Sequence, residues 1–351
     1  MPSIVKPAAT HPSLKRNSLG LTLREYEGSM STLCAGCGHD SITAAVVRAF
    51  WELATPPHMI AKLSGIGCSS KTPTYFVSGA HGFNSAHGRM PAIATGANAA
   101  NRDIIYVGIS GDGDSLSIGL GQMCHALRRN VRMLYMIENN GVYGLTKGQF
   151  SASADLGSKS KRGEPNRMAP IDPVMLGLGL GATFLARSFS GDKDQLVPIL
   201  KAAISHRGFA LVDVISPCVT FNDHKGSTKS YLHTRQHQVK VTQADFVPPA
   251  QEITAQISMN GATSVTMHDG SVVRFTSAPK DYDPTDRQRV FSYLTEHQNR
   301  GEIPTGLLFL DEAAPDMHEI SGTAQTPLCQ LPYQKLCPGS AELERLMEEY
   351  Q

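Results

Sequence analysis

The chain has 351 residues, of which 41% are apolar and 18% charged, so it can bury a sizeable core in one large domain or two smaller ones. Its formal charge of +1 lacks the basic excess expected of a protein whose main partner is nucleic acid or an anionic membrane. Neither a membrane-spanning apolar segment nor a secretory signal pattern is present in the sequence. We therefore expect a cytoplasmic protein with no nucleic-acid and no membrane partner.

After a polar segment at residues 1–30, interpreted as an N-terminal arm, apolar helices and strands alternate along the chain. The predicted elements are a helix at 42–53, a strand at 59–63, a glycine-rich loop at 64–89, a helix at 92–100, a strand at 104–109, a loop at 110–114, a helix at 115–129, a strand at 131–137, a long polar loop at 151–168, and a helix, strand, helix and strand ending at residue 215. This order predicts an α/β fold, a parallel sheet covered by helices on both faces, with ligands at the carboxyl ends of the strands.

We assign residues 31–227 to this domain because the pattern becomes less regular after about residue 228. Residues 263–276 alternate around Asp269-Gly270 and predict a β-hairpin, and residues 341–350 predict a final helix. Residues 228–351 are therefore predicted to form a C-terminal extension that provides packing or subunit contacts.

Glycines and carboxylates stand at the predicted junction of the strand at 104–109 and the next helix. The segment Gly111-Asp112-Gly113-Asp114 offers close backbone approach, helix N-terminal amides for an anion and a carboxylate for a hard cation. Asn140 follows Asp112 by 28 residues, at the end of the next strand. Two ordinary turns would also explain these residues, but their position at adjacent strand ends indicates a magnesium and phosphate site.

Seven cysteines, an odd number, argue against a disulfide framework and for metal ligation or burial. Cys34 and Cys37 are three residues apart in a glycine-containing loop, and Cys68 and Cys218 each follow a predicted strand. Zinc and an iron–sulfur cluster both fit this spacing. Structural roles are assigned to the three remaining cysteines, which are Cys124, Cys329 and Cys337.

The two patterns together resemble a known enzyme family. The GDG segment followed by Asn139-Asn140 resembles the thiamine-diphosphate motif of the transketolase and 2-oxoacid decarboxylase superfamily. The order of cysteines between about residues 33 and 222 resembles the thiamine-binding β subunits of 2-oxoacid:ferredoxin oxidoreductases. Leu33 and Ala35 stand where many two-subunit members have Trp and Pro. Neither residue is a ligand, so this difference affects only the packing beside the cluster.

The resemblance implies a thiamine-diphosphate-binding fold with three cofactors: thiamine diphosphate, Mg²⁺ and one 4Fe-4S cluster. Mg²⁺ would be bound by the side chains of Asp112 and Asn140 and by the backbone oxygen of Val142. The cluster would be held by four thiolates, from Cys34, Cys37, Cys68 and Cys218. The other residues that would line thiamine diphosphate, together with Cys68, are Gly67, His87, Gly111, Gly113, Asp114 and Thr146.

The implied activity is the reversible oxidative decarboxylation of 2-oxoglutarate to succinyl-CoA and carbon dioxide, with electrons passed through the cluster to ferredoxin. The resemblance also implies a heterodimer or a dimer of heterodimers, in which an α subunit supplies the catalytic Glu and helps to bind coenzyme A. The alternatives are the same chemistry on pyruvate or another 2-oxoacid, a non-redox thiamine enzyme, and a zinc- or cluster-containing electron-transfer or binding module.

Lys71 follows Cys68 by three residues and resembles the lysine of family members that use 2-oxoglutarate. The resemblance implies that it pairs with the distal carboxylate of the substrate, and a solvated loop lysine is the alternative. Lys147 and the basic segment 159–167 are interpreted as a solvated face, although they could also steer ferredoxin or the coenzyme.

Overall fold

A computed structural model of the protein describes residues 11–159, 163–247, 262–277, 282–337 and 339–350. The strands are β1 Ile60–Ser64, β2 His81–Asn84, β3 Ile105–Gly111, β4 Met133–Asn139, β5 Val142–Tyr143, β6 Gln149–Phe150, β7 Phe184–Phe189, β8 Phe209–Ile215, β9 Gln238–Lys240, β10 Thr242–Val247, β11 Ala262–Thr266, β12 Val272–Ser277 and β13 Ile303–Leu310. The α-helices are α1 Gly38–Glu52, α2 Met90–Ala100, α3 Leu120–Arg128, α4 Pro173–Gly179, α5 Lys193–Ser205, α6 Tyr231–His237, α7 Arg287–Asn299, α8 Met317–Ser321, α9 Tyr333–Leu336 and α10 Ser340–Glu348.

Eight strands form the central sheet, in the order β2-β1-β3-β4-β8-β7-β13-β9. Neighbouring strands are parallel except for β13, which runs antiparallel to β7. The central strands β4 and β8 are buried along their whole length, as expected for nearly continuous apolar sequences with both faces covered. The predicted parallel α/β sheet is therefore confirmed, and the C-terminal part of the chain completes one edge of it.

Two hydrophobic cores cover the two faces of the sheet. Helices α1 and α5 pack together over one face, and helices α2, α3, α4 and α7 supply buried residues to the other. Asp172, Asp192 and Asp286 start three of these helices by accepting hydrogen bonds from backbone amides of the first turn. No helix among the described residues is long and apolar enough to span a bilayer.

The predicted helix at 115–129 is interrupted in the structure. A π-helical turn covers Gly113–Ile118, and α3 begins only at Leu120. Gly119 lies at the break, where its backbone amide donates to the Asp114 carbonyl at 2.8 Å. This wider turn follows directly after the GDG segment and shapes the end of β3.

Outside the central sheet, β10, β12 and β11 form a small antiparallel sheet. The predicted hairpin is the β11–β12 pair, with Gly270 at φ +81° in its turn. At the other end of the chain, residues 11–30 contact α1: Tyr26 is fully buried, and Asn17 Nδ2 donates to the Trp51 carbonyl at 3.1 Å. Residues 1–10 of the predicted arm lie outside the described residues.

Candidate active site

The carboxyl ends of β1, β3, β4 and β8 lie at one edge of the sheet, and a cavity of about 110 Å³ opens there. We call it the GDG cavity. It is lined by every residue predicted to contact thiamine diphosphate or Mg²⁺, namely Gly67, Cys68, His87, Gly111, Asp112, Gly113, Asp114, Asn140, Val142 and Thr146. The parallel register brings the two halves of the GDG and Asn-Asn pattern together, because Gly111 at the end of β3 pairs with Glu138 near the end of β4.

Asp112 is a buried carboxylate, with 1% of the residue exposed. Its Oδ2 accepts hydrogen bonds from Ser151 Oγ, from Ser153 Oγ at 2.6 Å and from the Gly141 amide at 2.9 Å. Its Oδ1 accepts a long hydrogen bond, 3.4 Å, from the Asn140 amide. Among the described residues no cationic side chain pairs with Asp112, and burial raises the pKa of its carboxyl. A divalent cation would supply the missing counter-charge, and Oδ1 keeps lone-pair capacity for it.

Asn140 is held at the edge of the same cavity by its own loop. Its Oδ1 accepts a hydrogen bond from the Val142 amide at 3.0 Å, and its backbone carbonyl accepts one from Asn222 Nδ2 at 2.7 Å. The oxygens of Asp112, Asn140 and Val142 are hard ligands of the kind Mg²⁺ takes together with phosphate oxygens. The donor set therefore fits a phosphate-bound magnesium ion.

Asp114 ties together the loops that surround the cavity. Its carboxylate accepts from the Gly88 amide at 2.7 Å, from the Ile66 amide at 3.3 Å and from Ser110 Oγ, and it contacts His87 Nδ1. The His87 ring in turn meets the edge of Tyr143, with ring centroids 6.3 Å apart. Asp114 therefore orders the backbone around the cavity.

Two glycines in the wall of the GDG cavity could not be replaced by a larger residue without strain or a clash. Gly67 has φ +128°, and a Cβ there would meet no described atom within 4 Å. A Cβ at Gly113 would come within 2.5 Å of the Tyr143 ring. Backbone can therefore closely approach a ligand at Gly67, while Tyr143 packs directly on the GDG turn.

The four predicted cysteine ligands line a second cavity of about 40 Å³, which we call the cysteine cavity. Cys34 is exposed, and Cys37, Cys68 and Cys218 are partly buried. Burial raises the pKa of Cys37 to about 12 and raises the pKa values of Cys68 and Cys218. Within the described residues, no three or more His, Cys, Asp or Glu side chains form a group that could hold a single metal ion.

The two cavities share a wall formed by Cys68, Asn140 and Gly144. Gly144 lies in the turn between β5 and β6, and a Cβ there would be 3.5 Å from Cys68 Sγ and 3.7 Å from Cys218 Sγ. A group bound to the four thiols would therefore be adjacent to a group bound in the GDG cavity. The sequence placed both sites at one edge of the sheet but did not identify the residue between them.

A buried polar network lies beside the cysteine cavity. His39 Nδ1 is 2.6 Å from Ser216 Oγ and 3.4 Å from Glu138 Oε2, and Thr72 Oγ1 donates to Glu138 at 3.0 Å. Burial lowers the pKa of His39 to about 4 and raises the pKa of Glu138 well above its usual range. Both shifts favour the uncharged form of the side chain, which limits the cost of burying it.

Sequence reasoning missed this network and the two serine hydroxyls on Asp112. A signal was available for His39, which directly follows Cys37-Gly38, and for Glu138, a charged residue within an apolar strand. Ser151 and Ser153 gave no such signal, since they stand in a long polar loop. Lys71 lines neither cavity but follows Cys68 in a 3-10 helix at Ser69–Thr74.

The remaining three cysteines do not join this site. Cys124 is partly buried within α3, while Cys329 and Cys337 are exposed. None of the three lines the GDG cavity or the cysteine cavity.

Residues 65–214 match the family model described as the thiamine pyrophosphate enzyme C-terminal TPP binding domain. Every residue that lines the GDG cavity, from Ile66 to Thr146, falls within this range. Thiamine-diphosphate binding is thus the family property of the domain that carries the site.

Among curated relatives, a 2-oxoacid:ferredoxin oxidoreductase subunit beta from Saccharolobus solfataricus is 42% identical over 207 residues, 59% of this chain and 67% of the relative. The 2-oxoglutarate oxidoreductase subunit KorB from Mycobacterium tuberculosis is 44% identical over 192 residues, 54% of this chain and 51% of that protein. A 2-oxoglutarate synthase subunit KorB from Methanocaldococcus jannaschii is 34% identical over 189 residues, 54% of this chain and 69% of that protein.

The fold is also similar to a solved structure, the 2-oxoglutarate:ferredoxin oxidoreductase from Magnetococcus marinus with 2-oxoglutarate, coenzyme A and succinyl-CoA bound. The TM-score is 0.70 at 29% identity, covering 89% of this chain and 92% of the other. The similarity thus extends beyond the thiamine domain into the C-terminal part of the chain. The chain therefore belongs to the β subunits of the 2-oxoacid:ferredoxin oxidoreductases, an enzyme family whose subunit naming implies a partner α subunit.

Proposed function

We propose that this chain is the thiamine-diphosphate- and 4Fe-4S-bearing subunit of an enzyme that oxidatively and reversibly decarboxylates 2-oxoglutarate to succinyl-CoA and carbon dioxide, with ferredoxin as the electron acceptor. The observation that carries the proposal is the shared wall: a cavity with hard oxygen ligands and a cavity with four thiols meet at Cys68, Asn140 and Gly144. Oxidative decarboxylation requires this proximity, because electrons must leave the cofactor as the acyl group forms.

In this proposal Asp112, Asn140 and the Val142 carbonyl hold Mg²⁺, and the backbone around Gly67 and Gly113 approaches the diphosphate. When bound, thiamine diphosphate supplies a carbanion equivalent that can add to the keto carbon of a 2-oxoacid. Ser151 and Ser153 keep Asp112 Oδ2 engaged, which orients Oδ1 as the metal ligand. Support comes from the lack of a cationic partner for this buried carboxylate among the described residues.

The shared wall favours an iron–sulfur cluster over zinc. Four thiols can hold either a zinc ion or a 4Fe-4S cluster. The cysteine cavity meets the GDG cavity at Cys68, Asn140 and Gly144, where a zinc ion could not accept electrons because it has no redox chemistry. An iron–sulfur cluster at the same place could accept them one at a time.

The choice of 2-oxoglutarate rests on Lys71 and on the 2-oxoglutarate for which two of the relatives and the structural neighbour are named. Lys71 forms no ion pair with a carboxylate of the described residues, although it is close enough to lower the pKa of the Cys68 thiol. Burial raises the pKa of that thiol more strongly, so the shift as a whole is upward. A dicarboxylate substrate would provide an anionic partner for Lys71.

The chain supplies only part of the proposed active site. The carboxylates that line the GDG cavity are Asp112 and Asp114, and both are engaged by hydrogen bonds within the chain. A thiamine enzyme also needs a Glu for the aminopyrimidine, which the α subunit would provide. We propose a heterodimer or a dimer of heterodimers in which that subunit also helps to bind coenzyme A.

The test uses the chain copurified without oxygen together with its α subunit. We expect about four iron and four acid-labile sulfide per β subunit, and visible absorption that bleaches when 2-oxoglutarate and coenzyme A are added. Pyruvate and branched 2-oxoacids in the same assay define the substrate range. Zinc without iron, or a cluster that no 2-oxoacid reduces, would refute the proposal.

A further inference from the structure

Cys34 is the corner of the cysteine cavity nearest to solvent. It is exposed, whereas Cys37, Cys68 and Cys218 are partly buried. Thr220 Oγ1, also exposed, lies 3.4 Å from Cys34 Sγ. Electron transfer weakens steeply with distance, so an electron leaving a cluster in this cavity has its shortest route to an external acceptor beside Cys34.

Four segments surround this corner, and we call the surface they form the Cys34 rim: residues 31–37, 144–150, 218–225 and 231–235. Contacts between the segments hold them together. The Tyr231 hydroxyl donates to the Gly36 carbonyl at 3.1 Å. A Cβ at Gly148 would lie 2.9 Å from Phe221, which itself lines the cysteine cavity.

Charge on the rim is predominantly positive. Its cations are Lys147, Lys225 and Arg235, all exposed, and its one carboxylate is Asp223. Asp223 Oδ1 accepts a hydrogen bond from the Tyr231 amide at 2.9 Å, so it is turned toward the protein. In the part of the chain that the structure describes, none of the three cations forms an ion pair with a carboxylate. The chain as a whole has 32 cationic and 31 anionic side chains, so the rim departs from the average.

Apolar side chains accompany these cations. Leu145 is 53% exposed and Leu232 is 67% exposed, in the same segments as Lys147 and Arg235. Exposed apolar groups beside unpaired charges are typical of a small interface that forms and dissociates repeatedly. Basic groups around it favour an acidic partner and speed its approach.

We propose that the Cys34 rim is the docking surface for a small acidic iron–sulfur protein, which receives electrons through Cys34. This inference rests on the proposed function, because it requires a cluster in the cysteine cavity. It adds the place of docking and the charge of the partner. Lys225 and Arg235 provide the electrostatic attraction, and Leu145 and Leu232 provide apolar contact.

The experiment compares two electron acceptors in the intact complex of both subunits. The variant is Lys225→Glu combined with Arg235→Glu, and the control is Arg129→Glu combined with Lys335→Glu, two exposed cations outside the rim. Rates are measured with an acidic ferredoxin and with methyl viologen, at about 0.02 M and about 0.5 M salt, where charge screening differs strongly.

For the rim variant we expect kcat/KM for ferredoxin to fall by about tenfold or more at low salt, and the difference from the unmodified enzyme to shrink at high salt. Methyl viologen reduction and the visible spectrum should be unchanged. The neutral variant, Lys225→Gln with Arg235→Gln, should show an intermediate loss. The control should retain the ferredoxin kinetics of the unmodified enzyme.

Unchanged ferredoxin kinetics in the rim variant, or an equal loss in the control, would overturn the docking surface. Failure of the rim variant to copurify with the α subunit would also overturn it and assign the rim to the subunit contact. By contrast, an unmodified complex that contains no cluster or reduces no viologen with any 2-oxoacid would overturn the proposed function itself.

Discussion

Gly144 lies directly against Cys68, such that a Cβ at position 144 would stand 3.5 Å from the Cys68 sulfur. The same Cβ would be 3.7 Å from Cys218 Sγ. Gly144 also lines the GDG cavity, so a residue without a side chain separates the two proposed cofactor sites. The contact distances are ordinary for a folded chain, but they leave no room for a larger side chain and a cluster together.

We expect Gly144→Val to reduce the iron and sulfide content several-fold, because the added methyl groups would occupy space beside the thiols. Binding of thiamine diphosphate with Mg²⁺ should change less. The matched control is Gly82→Val in strand β2, where a Cβ would meet no described atom within 4 Å. A folded Gly144→Val protein with full iron content would contradict the assignment of this residue as the wall beside the cluster.

Asp112→Asn should abolish the thermal stabilisation that thiamine diphosphate and Mg²⁺ together give. A ligand present at a hundred times its Kd stabilises the native state by about 2.7 kcal/mol, and this increment should disappear. Without ligands the variant should be at least as stable as the parent, since burial raises the pKa of a carboxyl that has no cationic partner among the described residues. Thermal unfolding with and without the ligands checks both outcomes, and a full ligand-induced shift in the variant would rule out Asp112 as the metal ligand.

Lys71→Ile should lower kcat/KM for 2-oxoglutarate, with a loss of transition-state stabilisation of about 2 to 5 kcal/mol. The effect on kcat/KM for pyruvate should be much smaller. The reason is the loss of a cation that has no carboxylate partner within the described chain. Pyruvate lacks the distal carboxylate and serves as the internal control in steady-state assays with methyl viologen. Equal losses for the two substrates would exclude a specific charge pair and indicate a general disturbance of the loop after Cys68.

Glu312 makes the stability of the fold depend on pH. Burial alone would raise the pKa of its carboxyl, but the hydrogen bond from His206 and the nearby His268 lower it to about 2. The folded-state pKa is therefore below the ordinary value of 4.5. The resulting stabilisation is fully present above about pH 4.5 and is lost as the pH falls toward about 2.

We expect Glu312→Gln to destabilise the protein by up to about 3 kcal/mol near neutral pH, and the difference from the parent to vanish toward pH 2. Denaturant unfolding of both proteins at several pH values measures this difference directly. Since Arg345 and Glu342 form an exposed pair 2.9 Å apart, Glu342→Gln is a suitable comparison and should show a smaller dependence. A constant difference at all pH values would show that the Glu312 charge is not responsible.

The sequence by itself determined the parallel part of the sheet and the proposed ligand residues of both cavities. Strands alternating with helices require crossover connections, which make the strands parallel and bring their carboxyl ends to one edge. Asp112, Asn140, Cys68 and Cys218 all follow strands, so their convergence follows from topology. The hairpin around Asp269-Gly270 was equally predictable, because its turn chemistry is local.

Only the tertiary structure decided how the two cavities meet and what supports them. Strand β13, far along the chain, pairs antiparallel with β7, and no local pattern specifies that partner. Ser153 reaches Asp112 across 41 residues, and Gly144 lies between thiols that are 150 residues apart in sequence. Such contacts depend on how loops pack over the strand ends, whereas residue patterns report only the periodicity and the turns of each segment.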